Sequence, residues 1–291
     1  MSVYKHAYRA YAGTLTPLWA RVGVVVRYGL AEAWSSRITV GLFTLSMLPV
    51  IVYLIGIYLA NNPVARMIIM HGKSALFTID AAYFLKVLAT QSWIALVMTA
   101  WVAPRLVCFD LADNALPILL SHPVSRLGYV LGKFIALFWC LSLITWIPCL
   151  LLFAYQCYAS TAPWMGANLQ VAFGLLAGAV FWIALLSILG LALSSWVKWR
   201  VVATGIIFAA VFVPAGVGGI VSAILRTKWG LLLNLPVMMT QLWQRLLGAP
   251  EFMRGENSLP DAAIAMVLVL MCLVCVAILN ARIRAREVVR G

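Results

Sequence analysis

The stretch "FIALFWCLSLITWIPCLLLFAYQCYASTAPWMGANLQVAFGLLAGAVFWIALLSILGLALSSWV", Phe134 to Val197, runs 64 residues without an Asp, Glu, Lys, Arg or His. No soluble fold of this size hides so long a charge-free run. A helix crossing a bilayer needs about 20 apolar residues, so the run is too long for one span and long enough for two. "YASTAPWMGAN", Tyr158 to Asn168, lies near its centre and carries turn chemistry. The run therefore divides into a span ending near Tyr155 and another beginning near Leu169.

The rest of the chain agrees. Of its 291 residues, 65% are hydrophobic and 10% charged, against about 25% charged in soluble domains. In lipid every backbone polar group must be satisfied internally, which makes the spans helices. Six are expected: 38–60, 83–107, 127–155, 169–197, 201–225 and 262–281. The sequence thus predicts an all-α polytopic membrane protein forming a single transmembrane domain. The early apolar patch "VGVVV" is too short for the apolar region of a cleaved signal and is followed at once by Arg27.

The net charge of +13 reads as basic loops on the cytoplasmic side and not as a nucleic-acid surface. With the N-terminus inside, the inside segments hold 14 basic residues and the outside segments 7. Both termini are accordingly expected in the cytoplasm, with the arginine-rich "NARIRAREVVRG" the strongest single vote. Residues 226–260 include "WGLLLNLPVMMTQLWQRLLG", apolar but broken by Pro236. A seventh span there would push the tail outside, so an external segment lying on or dipping into the membrane is expected. "PAGVGG", Pro214 to Gly219, leaves open a kink, a helix end, or close helix packing through small residues. Before the first span, residues 17–37 place Trp19, Val22, Val26, Leu30, Ala33 and Trp34 at helical spacing, with Arg27 and Glu32 interrupting. This predicts an amphipathic helix on the cytoplasmic surface, Trp19, Leu30 and Trp34 facing lipid or span 1 and Arg27 and Glu32 facing away from it.

Catalytic chemistry finds little support. The uncharged cores of the six spans carry no Asp, Glu, Lys, Arg or His, where proton-coupled transporters and intramembrane enzymes usually keep some. His6, His71 and His122 have no metal-ligand spacing, and Cys272 and Cys275, though spaced CxxC, sit inside an apolar run. "GYVLGKF" is not a P-loop: three residues separate its glycines and Phe134 stands where the hydroxyl should be. "HGKS" has Met67 in place of the first glycine. This chain is not expected to bind ATP by that route.

One polar island remains, "LADNALPILLSHPVSRLGYVLGKF", Leu111 to Phe134. Asp113 is placed to cap a short helix with Pro117 in its first turn, Pro123 stops it, and Ser125 caps the next helix. On that second helix Arg126, Tyr129 and Lys133 fall at i, i+3 and i+7 on one face. The plainest role is a polar connection with snorkelling cations.

The island resembles the segment of ABC-2 type transporter permeases that often reads ALPLLLSRPVSRxxYVLGKF, with His122 where Arg is common. "RYGLAEAWSSR" is similar to that family's N-terminal connecting helix. The resemblance implies an ABC-2, type V exporter-like fold with a short cytoplasmic coupling helix between spans 2 and 3. It also implies a bacterial inner-membrane location and pairing with a second permease copy or a paralogue. Cytoplasmic ATPase subunits would supply the Mg-ATP, with no cofactor held by this chain. By this resemblance the ATPase-coupling residues are Asp110, Asp113, Asn114, Leu116, Pro117, Leu119, Leu120, Ser121, His122, Pro123, Ser125, Arg126, Tyr129 and Lys133. Arg27, Glu32 and Trp34 belong to the connecting helix. A secondary transporter, or a membrane assembly protein without an ATPase, stays open as an alternative.

Overall fold

The computed structural model describes residues 17–64, 78–112, 125–160, 163–249 and 259–282. Among these, six helices are long and apolar enough to cross a membrane. The surface helix α1 is Leu18–Trp34, and span 1 is α2, Arg37–Asn61. The two part at Ser35 and Ser36. Ser35 Oγ donates to the Glu32 carbonyl, and Ser36 is extended, so the chain turns before span 1 begins. Span 2 is α3, Ala81–Ala112. Span 3 is α4, Arg126–Ser142, followed by α5, Trp146–Ala159. A short α6, Pro163–Ala167, leads into span 4, α7, Leu169–Ser194. Span 5 is α8, Arg200–Leu225. A 3-10 helix, Trp229–Leu233, and α9, Leu235–Leu247, precede span 6, α10, Asp261–Arg282.

Spans 2 and 4 form the centre, while spans 1, 5 and 6 lie outside it with most of their side chains open to the surroundings. In lipid that exposure is not a defect, because an acyl chain solvates Leu or Val as well as a core does.

Span 3 is expected as one helix over 127–155 and is two. Residues 143–145 form a turn. Pro148 lacks an N–H, so the Ile144 carbonyl loses its helical donor, and the chain turns at that point. Ile144 N and Thr145 N both turn onto the Leu141 carbonyl, at 3.2 and 3.1 Å, and the Thr145 and Ser142 hydroxyls add bonds to the Leu141 and Phe138 carbonyls. Pro148 then sits in the first turn of α5, where its missing donor has no consequence.

"PAGVGG" turns out to be a packing device. Helix α8 continues through Pro214 to Leu225. Arg226 in the left-handed conformation (φ 47°) then reverses the chain. The 3-10 helix folds back until Gly218 and Gly230 touch backbone to backbone, an approach that any side chain at either position would block.

The described residues 226–249 pack against spans 4 and 5. The Asn234 side chain caps α9 by accepting from Val237 N at 3.2 Å, and Gly248 ends it with φ 66°. Met238, Met239, Trp243 and Leu247 are buried, and Trp243 Nε1 donates to Gly178 O of span 4 at 3.1 Å. Trp182 and Trp243 meet edge-on with centroids 5.8 Å apart. Arg245 pairs with Asp261, tying α9 to the start of span 6.

Candidate functional site

The polar island is bounded by structure at both ends. Its middle, residues 113–124, lies outside the described residues, and with it Asp113, Asn114, Leu116, Pro117, Leu119, Leu120, Ser121, His122 and Pro123. Asp110 in the last turn of α3 enters it. Ser125 leaves it, its Oγ accepting from Gly128 N at 3.0 Å to start α4. That cap is the one the sequence predicts.

Asp110 joins the two ends. Its Oδ2 accepts from the Tyr129 hydroxyl at 2.7 Å and lies 2.8 Å from Lys133 Nζ. Glu32 of α1 approaches the same ammonium at 3.8 Å. Lys133 also lies 5.7 Å from the Tyr129 ring centre. The Tyr129 side chain is fully buried and the Lys133 side chain is 9% exposed. A cation held that far from water must be paired, and here it has two carboxylates. Burial pushes the Glu32 carboxyl above its ordinary value. Lys133 opposes that shift, Asp110 adds to it, and Arg105 opposes it.

The neighbourhood is polar beyond these four. Arg105 Nη2 donates to Ser35 Oγ at 3.4 Å, and Trp101 Nε1 donates to Ser36 Oγ at 3.4 Å. Arg200, at the start of span 5, stacks its guanidinium over Trp101 at 4.4 Å. The turn between the surface helix and span 1 is thereby fastened to span 2, and span 2 to span 5.

Close packing sets the geometry. Helix α1 lies along α4 through Val22, Val25, Gly29 and Ala33, all buried. A Cβ on Gly132 would sit 2.6 Å from Val25 Cγ1, and one on Gly29 would sit 3.0 Å from the Ala136 Cβ. Each glycine thus leaves room for a small side chain of the other helix, Val25 against Gly132 and Ala136 against Gly29, and Lys133, next to Gly132, is carried into reach of Glu32.

These contacts revise the expected faces. The buried stripe of α1 runs through Val25 and Gly29, whereas Val26 and Leu30 lie at its edge. Trp19 is open, and Trp34 packs on Phe43 at 5.3 Å, which is span 1, as expected. Arg27 is exposed, but Glu32 is half-buried and turned to Lys133 instead of away from the protein. Tyr129 and Lys133 face inward together, one turn apart. Arg126 does not join them and is exposed. It stands at the helix start, beyond the last turn of α3, where no carboxylate of the cluster can reach it.

Sequence reasoning missed the Asp110–Lys133–Glu32 cluster. Its one signal was the scarcity of acids: the chain has 8 Asp and Glu among 291 residues, and two of them flank these apolar runs. The "GKF" that fails as a nucleotide loop has a structural account instead. Its glycine admits Val25, and its lysine is the paired cation.

No curated protein matches the chain. The family model described as ABC-2 family transporter protein matches residues 62–283, well over half of the chain and all of spans 2 to 6. Helix α1 and all of span 1 precede the match. The island, the six spans and this match converge: the chain belongs to the ABC-2 family of transporter proteins.

Proposed function

We propose that this chain is the permease subunit of an ATP-driven exporter, working as a pair of permeases on separate cytoplasmic ATPase subunits that bind and hydrolyse Mg-ATP. The family supports the coarser part, since ABC-2 membrane components work with ABC ATPase partners. One observation carries the rest. The Asp110–Tyr129–Lys133–Glu32 cluster clamps both ends of the 113–124 segment and the surface helix into one unit. A push on that segment by a partner would then move α1, span 2 and span 3 together and would not be absorbed in a loose loop.

The segment itself favours a partner. Leu116, Leu119 and Leu120 fall on one side of the short helix the sequence predicts, and burial of one leucine is worth roughly 1.5–3 kcal/mol. The test is co-purification in detergent of the ATPase with Leu116→Asp/Leu120→Asp. Loss of the ATPase with normal membrane insertion is expected. Wild-type amounts of ATPase on that variant would reduce the segment to a connector. Arg27→Glu on the exposed side of α1 is expected to weaken the same association without affecting insertion. The secondary-transporter reading leaned on a broken span 5, and α8 runs unbroken through Pro214.

The proposed topology places both termini in the cytoplasm of a bacterial cell and 226–260 outside. Cysteines introduced at Ser2 and Ser258, in a background without native cysteines, separate the possibilities. Position 258 is expected to label from outside in intact cells and position 2 only after permeabilisation. External labelling at position 2 would reverse the arrangement.

A further inference from the structure

Span 3 has a second face that the coupling cluster does not use. Helices α4 and α10 both pack on α7, and the gap left between them is a groove of about 750 Å³. That lies within the ~300–1,000 Å³ of ordinary small-molecule sites. Its walls are Leu127, Val130, Leu131 and Phe134 of span 3 and Leu273 and Val276 of span 6, with span 4 as the floor. The outer walls are open: Leu127 is 72% exposed and Leu273 61%. These are spanning helices, so the opening faces lipid sideways and not water.

The groove is polar at one end only. Arg126 and Asn280 line it where span 3 begins and span 6 ends. From Arg126 to Phe134 the wall climbs eight residues, roughly 12 Å at ~1.5 Å per residue. That approaches the ~15 Å of hydrocarbon in one leaflet. Among the described residues Arg126 makes no ion pair, while nearby Lys133, on the inward face, has two. Among the described residues no carboxylate meets the guanidinium at the rim of this apolar slot, and the slot is shaped for an acyl chain. A glycerophospholipid supplies an anion and an acyl chain on one molecule.

We propose that this groove is a binding site for one anionic phospholipid of the leaflet on the Arg126 side, the cytoplasmic one in the topology above. Its phosphate sits on the Arg126 guanidinium, with Asn280 as a second donor. One acyl chain lies between spans 3 and 6 against Ile188 and Leu191 of span 4. The lipid fills the gap over span 4 between α4 and α10, so it holds span 6 at its distance from span 3. The proposal is independent of the ATPase reading, because binding is read on this chain alone.

The experiment titrates the full-length chain in mild detergent with palmitoyl-oleoyl phosphatidylglycerol, or with the phosphatidylcholine of the same chains, and counts bound lipid by native mass spectrometry. One phosphatidylglycerol per chain is expected, held more tightly than phosphatidylcholine. Arg126→Gln is expected to weaken phosphatidylglycerol about tenfold, the scale of one charge-assisted contact, and to weaken phosphatidylcholine less, because the choline ammonium already offsets the pull of the guanidinium on that phosphate. Arg126→Lys keeps most of the preference. Ala277→Phe, which fills the groove, is expected to lower binding of both lipids. Equal affinity for the two lipids on the unaltered chain would overturn the site, and so would Arg126→Gln binding phosphatidylglycerol as before. A disulfide between copies through Leu273→Cys in membranes would overturn it too, since a second chain would then cover the groove. If Ala277→Phe does not fold, the Arg126→Gln and Arg126→Lys pair decides alone.

Discussion

Lys133 Nζ lies 2.8 Å from Asp110 Oδ2, so the last turn of span 2 and the first turns of span 3 are joined by a buried ion pair across the segment that connects them. Asp110 stands one turn or less before the end of α3, and Lys133 two turns into α4. Tyr129 reinforces the pair from the same helix face, and Glu32 brings in the surface helix.

The two carboxylates are unequal, and their neutral variants are expected to differ. Asp110→Asn removes the short partner of both Lys133 and Tyr129 and leaves the cation with Glu32 at 3.8 Å. Roughly 1–3 kcal/mol of stability is expected to go, the cost of an under-satisfied buried charge. Glu32→Gln leaves the short pair intact and is expected to lower the melting temperature in detergent less. A larger loss from Glu32→Gln would mean that the surface helix, and not span 2, holds the lysine.

The same pair of proteins carries a pH dependence of known sign. Because the Glu32 carboxyl is raised above its ordinary 4.5 by burial, the folded chain holds that proton more tightly than the unfolded one. Its contribution to stability is full below that ordinary value and is lost as pH rises through the folded value. The melting temperature of the unaltered chain relative to Glu32→Gln should therefore be highest at the acid end and fall as pH increases. A difference that grows with pH would contradict burial as the leading cause.

Gly132 should tolerate no side chain while Val25 keeps its own. A methyl there meets Val25 Cγ1 at 2.6 Å and Cβ at 2.7 Å. Gly132→Ala is expected to destabilise by about 1–3 kcal/mol, as overpacking does, and to open α1 to proteolysis. Combining it with Val25→Ala should recover much of the loss. Additive losses in the double variant would show that the two residues do not meet.

Helix α9 is expected to depend on Trp243. Trp243→Phe keeps most of the ring and loses the bond to Gly178 O, for about 0.5–1.5 kcal/mol. Gly178→Ala is expected to cost more, since its methyl would meet Trp243 Cδ1 at 2.7 Å. Tryptophan fluorescence and the thermal midpoint report both; a silent Gly178→Ala would place α9 away from span 4.

What the amino-acid sequence determined by itself was the membrane and the number of crossings. Sixty-four charge-free residues and 65% hydrophobic content leave lipid as the only solvent, and helices follow because a backbone in lipid has no other donor or acceptor. The Ser125 cap, the helix before span 1 and the interruption at Pro236 were legible for the same local reason: caps, amphipathic spacing and prolines act within a few residues of chain. The break at 143–145 was legible only in part. Pro148 was visible, but whether a proline bends a helix or divides it depends on which carbonyls its neighbours can satisfy.

Tertiary structure alone decided which side of each helix faces in. In lipid an apolar stripe no longer marks the buried face, because Trp19 and Leu127 are as well solvated outside as Val25 is inside. The inward faces are instead chosen by closeness of approach and by pairing of charge: Gly132 against Val25, Gly218 against Gly230, and Lys133 between Asp110 and Glu32. Glu32 and Lys133 are 101 residues apart in sequence, and only two helices packed closely at Gly29 and Gly132 put one charge in reach of the other.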